Sequence, residues 1–177
     1  LDALLTEKFG QAPVMACANL PYNITTPVLT KFVETRAIRQ FTVMIQREVA
    51  QRVCAAPGTS GGSSFSLFLQ YYMEPEYLFT VPPEKFYPAP KVTSAVMRCV
   101  RREKPPVKVE DEALLFRLMR GAFALRRKTL ANSLSSALGL PKETVLAAIR
   151  GAGLAETVRG EKLTFEDFAA LCRAMGK

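Results

Sequence analysis

Residues 14–27 read VMACANLPYNITTP. The first five, Val14-Met15-Ala16-Cys17-Ala18, form a short apolar run, and Asn19-Leu20-Pro21-Tyr22 stops it with a proline turn. That is the pattern of a short buried strand entering a loop. Thr25 or Thr26 then caps a helix with Pro27 in its first turn, running to about Thr35. Phe41-Thr42-Val43-Met44-Ile45 is a second apolar run and predicts a second buried strand, with a helix over about 48–54 behind it. Strand, helix, strand, helix is the grammar of a parallel α/β sheet, and it sets the fold class.

Further along, PGTSGGSS at 57–64 predicts a flexible loop and the apolar 65–72 a helix. Residues 77–81 and 94–100 predict two more strands, joined by a proline-rich link containing Pro82-Pro83 and Phe86-Tyr87-Pro88-Ala89-Pro90. Composition changes at 101–111, RREKPPVKVED, which reads as a charged linker. Beyond it the spacing is helical: Leu115, Leu118, Ala122 and Leu125 recur at three to four residues, as do Leu130, Leu134 and Leu138. Gly139 stops one helix and Pro141 starts the next, to about Arg150. Thr164 with Asp167 three residues on resembles a capping box, ahead of a helix whose apolar side is Phe165, Phe168, Leu171, Cys172 and Met175. The expected domains are an α/β domain over 1–102 and an all-helical domain over 103–177.

The chain holds no histidine, which removes Ser-His-Asp triads, Cys-His pairs and histidine metal sites together. Cys17, Cys54, Cys99 and Cys172 form no CxxC pair and read as buried, reduced thiols of a cytoplasmic protein, so no metal is expected. No apolar run approaches the ~20 residues of a membrane span. Leu1-Asp2-Ala3 lacks the basic start of a signal peptide, and the missing initiator Met suggests a fragment or a processed chain. The net charge of +8 is uneven: residues 1–97 carry 8 Lys/Arg against 7 Asp/Glu, and residues 98–177 carry 16 against 9. A basic half beside a neutral half suggests contact with a polyanion, though a soluble basic surface would look the same.

Asn19-Leu20-Pro21-Tyr22 lies just after a predicted strand, where open α/β sheets place ligands. Its chemistry suits an adenine amino group, whose lone pair is delocalised into the ring. The Asn19 side-chain oxygen and a backbone carbonyl next to Pro21 can both accept hydrogen bonds from the NH2, favouring a pyramidal nitrogen and the positive charge that develops when it is alkylated. Pro21 stiffens the turn and has no competing N–H, and Tyr22 offers a face for stacking on a base. No histidine or carboxylate base is needed. By itself the string is equally compatible with a plain strand-to-helix turn.

Asn19 to Pro27, NLPYNITTP, is very similar to the catalytic motif of the adenine dimethyltransferases of small-subunit rRNA. Three more segments agree in order. Residues 46–52, QREVAQR, resemble that family's QREVAxR helix start. Residues 86–94, FYPAPKVTS, resemble its FxPxPKVxS loop. Residues 123–134, FALRRKTLANSL, resemble its basic helix. The resemblance runs from about Val14 to the C-terminus. It implies the later part of a Rossmann-like class I methyltransferase domain followed by a small helical domain. It also implies S-adenosylmethionine as methyl donor, and two adjacent adenosines near the 3′ end of small-subunit (16S) rRNA, in the small ribosomal subunit, as substrate. By this likeness Asn19, Leu20, Pro21, Tyr22 and Phe86 are the catalytic set. Asn19 also adjoins the cofactor, Tyr22 and Phe86 are opposite stacking walls, and Arg47, Lys91, Arg126, Arg127 and Lys128 contact RNA. Tyr22→Phe is then expected to be mild, since stacking needs the ring.

The sequence departs from that family in two places. The family's GxGxG loop and its acidic ribose and adenine partners are not found here; Gly61-Gly62 follows no strand directly and is not that motif. The family's GTKxYGxL loop has Ser60 and Gly62 in place of its lysine and tyrosine. Two other readings are an adenine methyltransferase of large-subunit rRNA or DNA, and an RNA-binding or assembly module without catalysis.

Overall fold

The computed structural model describes residues 1–176. Two compact units are present, one of Leu1–Cys54 with Leu69–Lys104, the other of Ala55–Phe68 with the chain from Pro105 onward.

The first unit is built on four strands, β1 (Val14–Asn19), β2 (Ile38–Gln46), β3 (Met73–Val81) and β4 (Ser94–Arg101), in the order β1-β2-β4-β3. Helices α1 (Asp2–Phe9), α2 (Thr25–Glu34) and α3 (Arg47–Cys54) accompany them, and α4 (Ser64–Tyr72) divides between the units. The expected parallel grammar holds for β1 and β2; β4 runs antiparallel to both β2 and β3. The reason is the link at 82–93, which carries only a 3-10 turn at Pro83–Lys85. Without a crossover helix the chain returns antiparallel.

The strands differ in burial because they differ in neighbours. Central β2 buries Phe41, Val43 and Ile45 at every second position, each contributing roughly 1.5–3 kcal/mol. They pack in a core with Leu29 and Val33 of α2, Ala50 and Val53 of α3, and Ala95, Met97 and Cys99 of β4. β1, read as buried from its apolar run but as an open sheet edge from the resembled family's neighbouring strand not found here, is the edge: its alternate residues Met15, Cys17 and Asn19 are exposed, Met15 by 73%. Of the four cysteines expected inside, Cys99 and Cys172 are buried, Cys54 is half-buried and Cys17 is exposed.

The stretch expected as a linker begins with two residues that belong to the fold. Arg101, the last residue of β4, donates from Nε to the Ile38 carbonyl at 2.8 Å. From Nη2 it donates to the carbonyls of Val33, Thr35 and Phe32 at 2.8, 3.0 and 3.2 Å. These include carbonyls that the end of α2 leaves without helical partners, so one guanidinium caps the helix and ties it to the sheet. Burial lowers the Arg101 pKa, and Arg39 and Arg36 add to the effect. Arg102 donates to the Gln70 carbonyl and pairs with Glu74, both at 2.8 Å.

The second unit holds α5 (Glu112–Ala122), α6 (Leu130–Leu138), α7 (Lys142–Gly151) and α8 (Phe165–Met175). The expected capping box is complete: the Asp167 amide donates to Thr164 Oγ1 and the Thr164 amide to Asp167 Oδ2. Gly139 ends α6 at φ 67°, left-handed backbone that favours glycine. Leu115, Leu118, Leu130 and Leu134 are buried with Phe168 and Leu171, while Leu125, expected on the same stripe, is 41% exposed in the turn after α5.

Residues 55–68, which take in the loop expected over 57–64 and the start of the helix expected over 65–72, group with these helices. Gly58, at φ 82°, lies against Thr164 and Lys162. Ser63 and Ser66 cap α4 reciprocally, the Ser66 amide donating to Ser63 Oγ at 3.1 Å and the Ser63 amide to Ser66 Oγ at 3.2 Å. The tightest backbone approach in this unit is at Gly160, which is buried: a Cβ there would fall on the Ala122 carbonyl. Gly160→Ala should therefore force backbone apart and cost roughly 1–3 kcal/mol. The check is a fall in the denaturant midpoint with an unchanged slope; an unaltered midpoint would show that the close approach is unimportant.

Candidate active site

Four chain segments meet at one end of the β-sheet. Register pairs Asn19 with Met44, Gln46 with Ser94, and Ser94 with Val81, so the end of β1, the β2–α3 junction, the start of β4 and the end of β3 lie side by side. The sheet order thereby brings three of the four sequence segments to one place: NLPY, QREVAQR and FYPAPKVTS.

The turn after β1 is fixed by its own hydrogen bonds. The Leu20 amide donates to the Met44 carbonyl at 3.1 Å, continuing the strand pairing one residue further. The Pro21 carbonyl accepts from the Ile24 amide and from Thr25 Oγ1, both at 3.2 Å. Thr25, expected as a helix cap, is instead the first residue of α2, with a 3-10 turn over Tyr22–Ile24 ahead of it. This narrows the choice of backbone acceptor. The Pro21 carbonyl serves the turn, whereas the Leu20 carbonyl has no hydrogen bond among the described residues. The exposed Asn19 side chain has none either. Two unspent acceptors thus sit on consecutive residues at the carboxyl end of a strand.

Tyr22 is half-buried, and its hydroxyl lies 2.7 Å from Oγ of Ser94. Ser94 is 1% exposed and is the last residue of the FYPAPKVTS segment. This bond joins the two loops, and sequence reasoning missed it because its partners are 72 residues apart. It also adds a stability effect to Tyr22→Phe, separate from the mild effect expected on stacking. Removing the hydroxyl leaves a buried serine oxygen without its partner, which should cost about 1–3 kcal/mol. The expected readout is a lowered thermal midpoint; a Tyr22→Phe protein as stable as its parent would mean that the bond contributes nothing.

Phe86 follows the Pro83–Lys85 turn, its amide donating to the Pro83 carbonyl at 3.1 Å, and it is half-buried. It makes no ring contact with Tyr22 among the described residues. Tyr87 beside it is fully exposed, a second aromatic of the same loop that the sequence reading passed over. Lys91 is exposed on this loop. Arg47 opens α3 with its amide donating to the Thr93 carbonyl at 3.0 Å. Its guanidinium approaches Glu48 at 3.7 Å, and its Nε is buried without a hydrogen-bond partner.

Arg126, Arg127 and Lys128 belong to the second unit. They were expected to start a helix but lie in the turn over 123–128, all exposed. Thr129 caps α6 immediately after them, its Oγ1 accepting from the Asn132 amide.

The fit to S-adenosylmethionine is partial. Asn19 ends β1 and is exposed. No strand followed directly by a glycine-rich turn occurs among the described residues, and Gly61 and Gly62 belong to the helical unit. No helix among the described residues is long and apolar enough to cross a membrane.

A partly parallel α/β sheet with an acceptor-bearing NLPY turn at a strand end, and a separate helical unit, are the parts of a Rossmann-like fold with a helical second domain. Two solved structures share the fold: the 23S rRNA methyltransferase ErmE (TM-score 0.70, 23% identity, 94% of this chain and 66% of that one) and a dimethyladenosine transferase from Plasmodium falciparum (0.72, 22%, 89% and 64%). The family profile described as Ribosomal RNA adenine dimethylase matches residues 4–176. Proteins named Ribosomal RNA small subunit methyltransferase A are similar in sequence. That of Lachnoclostridium phytofermentans is 45% identical over 174 residues, covering 97% of this chain and 60% of that protein. That of Streptococcus sanguinis is 46% identical over 167 residues, covering 92% and 58%. The chain belongs to the ribosomal RNA adenine dimethylase family. It spans about three-fifths of the length of the curated relatives it matches.

Proposed function

We propose that this chain is the catalytic-loop and RNA-binding part of an S-adenosylmethionine-dependent enzyme that dimethylates N6 of two adjacent adenosines near the 3′ end of small-subunit rRNA. The observation that carries the reading is the pair of unspent acceptors, the Asn19 side chain and the Leu20 carbonyl, beside a tyrosine held by Ser94. The relatives' printed name, at about 45% identity, favours the small subunit over the large as the target. The reading places the protein with the small ribosomal subunit in the cytoplasm.

In this account the cofactor, when bound, supplies an electrophilic methyl group, and the residues here prepare the amine. Asn19 Oδ1 and the Leu20 carbonyl accept hydrogen bonds from the two N–H groups of the adenine amine before the first transfer, and one of them accepts from the single N–H left before the second. They localise the lone pair and favour the charge that builds, and the proton that each methyl replaces leaves the cationic nitrogen to solvent. Pro21 holds the Leu20 carbonyl in place. Tyr22 and Phe86 take the faces of the extruded base. Arg47, Lys91, Arg126, Arg127 and Lys128 contact phosphates and set the position of the RNA, leaving the base pocket and RNA shape to choose the adenine.

The test is transfer of labelled methyl from S-adenosylmethionine to isolated small or large ribosomal subunits, using a protein in which this chain is completed by the part of the Lachnoclostridium phytofermentans relative that the match leaves uncovered. Label in small-subunit rRNA supports the reading, and label confined to the large subunit contradicts it. Residues 1–177 alone, lacking the cofactor cradle, should show no micromolar binding of S-adenosylmethionine by calorimetric titration; binding at that strength would mean that the cradle has been misjudged.

A further inference from the structure

The helical unit contains an open cavity of about 320 Å³ lined by Arg117, Arg120, Gly121, Ala124, Ala137 and Leu138. Its shape follows from small residues. Gly121 is buried where α5 meets α6, and a Cβ there would lie 2.9 Å from Leu134 Cδ2 and 3.2 Å from Ala137 Cβ. Gly121, Ala124 and Ala137 leave a hollow with an apolar floor. Arg117 and Arg120, three residues apart, share a helix face at its rim. Neither guanidinium makes an ion pair or a side-chain hydrogen bond among the described residues, and no lining residue is acidic.

We propose that this cavity binds one unstacked nucleotide of the RNA, its base against the Gly121–Ala124–Ala137 floor and its phosphate on Arg117 and Arg120. The proposal rests on the RNA-binding reading above and adds a site to it. Three observations support it. The volume is at the lower end of the ~300–1,000 Å³ range of ligand sites, so it suits a single base. A guanidinium donates two parallel hydrogen bonds to a phosphate and can also stack on a base plane. Ala124 lies on the same turn as Arg126, Arg127 and Lys128, and two residues of chain span at most about 7 Å. A strand held by the basic turn therefore passes the cavity mouth.

The test uses residues 1–177 and a fluorescein-labelled RNA hairpin of the small-subunit 3′ end with a single-stranded flank, read by anisotropy across a salt series. Arg117→Ala/Arg120→Ala should weaken binding about tenfold and lower the slope of log K against log salt by about 0.7–0.9, the loss of one phosphate contact. Ala124→Leu/Ala137→Leu fills the hollow without changing charge. It should weaken binding roughly fivefold or more, by loss of base contact, with the slope unchanged. All four positions are exposed, so both variants should melt as the parent does. Wild-type affinity in the filled variant would overturn the proposal, since charge alone would then explain the arginine effect. An unchanged arginine variant would also overturn it. If the parent binds RNA and the 126–128 variant weakens it while both cavity variants do not, only the cavity reading fails. If the parent binds no RNA, the RNA-binding reading fails with it.

Discussion

Asn19→Ala, in a protein carrying a complete methyltransferase domain, should lower kcat by about 10²–10³. That is a rise of roughly 2.7–4 kcal/mol in the barrier, the scale found when one preorganised transition-state hydrogen bond is removed. The affinity for rRNA should change little, because Asn19 is an exposed residue at the strand end with no hydrogen bond to lose within the fold. The interaction removed is one that strengthens as charge develops on the amine, so the loss belongs in turnover and not in binding. Single-turnover methyl transfer and a filter-binding titration separate the two. Near-normal turnover in the variant would remove Asn19 from the mechanism.

The second large effect concerns the basic turn. Arg126, Arg127 and Lys128 are exposed on a turn that is held from beneath. The Ser133 hydroxyl, fully buried, donates to the Gly121 carbonyl at 2.7 Å and accepts the Leu125 amide at 3.0 Å. A turn anchored this way presents three cations without a packed helix under each one. Replacing all three with alanine should cost about 3 kcal/mol in RNA affinity, at 1.5–3 kcal/mol for a charged hydrogen bond and incomplete engagement of the three. The log K against log salt slope should flatten by about 2. An unaltered slope would make these residues a solvated surface. They are not part of the basic helix that the sequence suggested over 123–134: with Thr129 as the cap, the three residues precede α6.

That difference shows what was legible in the sequence. Features decided within a few residues could be read directly. The Thr164–Asp167 capping box, the glycine stop at Gly139 and the strand ending at Asn19 each depend on neighbours in sequence. Thr129 with Asn132 carried the same local signal for the start of α6, but the basic run beside it was read as helix. Features decided by distant partners were not legible. Arg101 looked like the first charge of a linker because the carbonyls it caps lie more than 60 residues earlier. Ser94 looked like a strand residue because nothing local points to Tyr22. The exposure of β1 depends on its place at the edge of the sheet; the apolar run does not announce it, but the absence of the resembled family's neighbouring strand does. The NLPY turn was legible as chemistry. Which backbone carbonyl was free became clear only when Ile24 and Thr25 were seen to occupy that of Pro21.

The central claim is that the Asn19–Tyr22 turn presents adenines of small-subunit rRNA for methylation. It is tested most directly by mass spectrometry of the 3′-terminal fragment of small-subunit rRNA from the source organism after deletion of the gene that encodes this sequence. The account expects the paired dimethyladenosines to disappear on deletion, to return with the intact gene and to stay absent with the Asn19→Ala allele. Dimethyladenosines that persist in the deletion strain would contradict it.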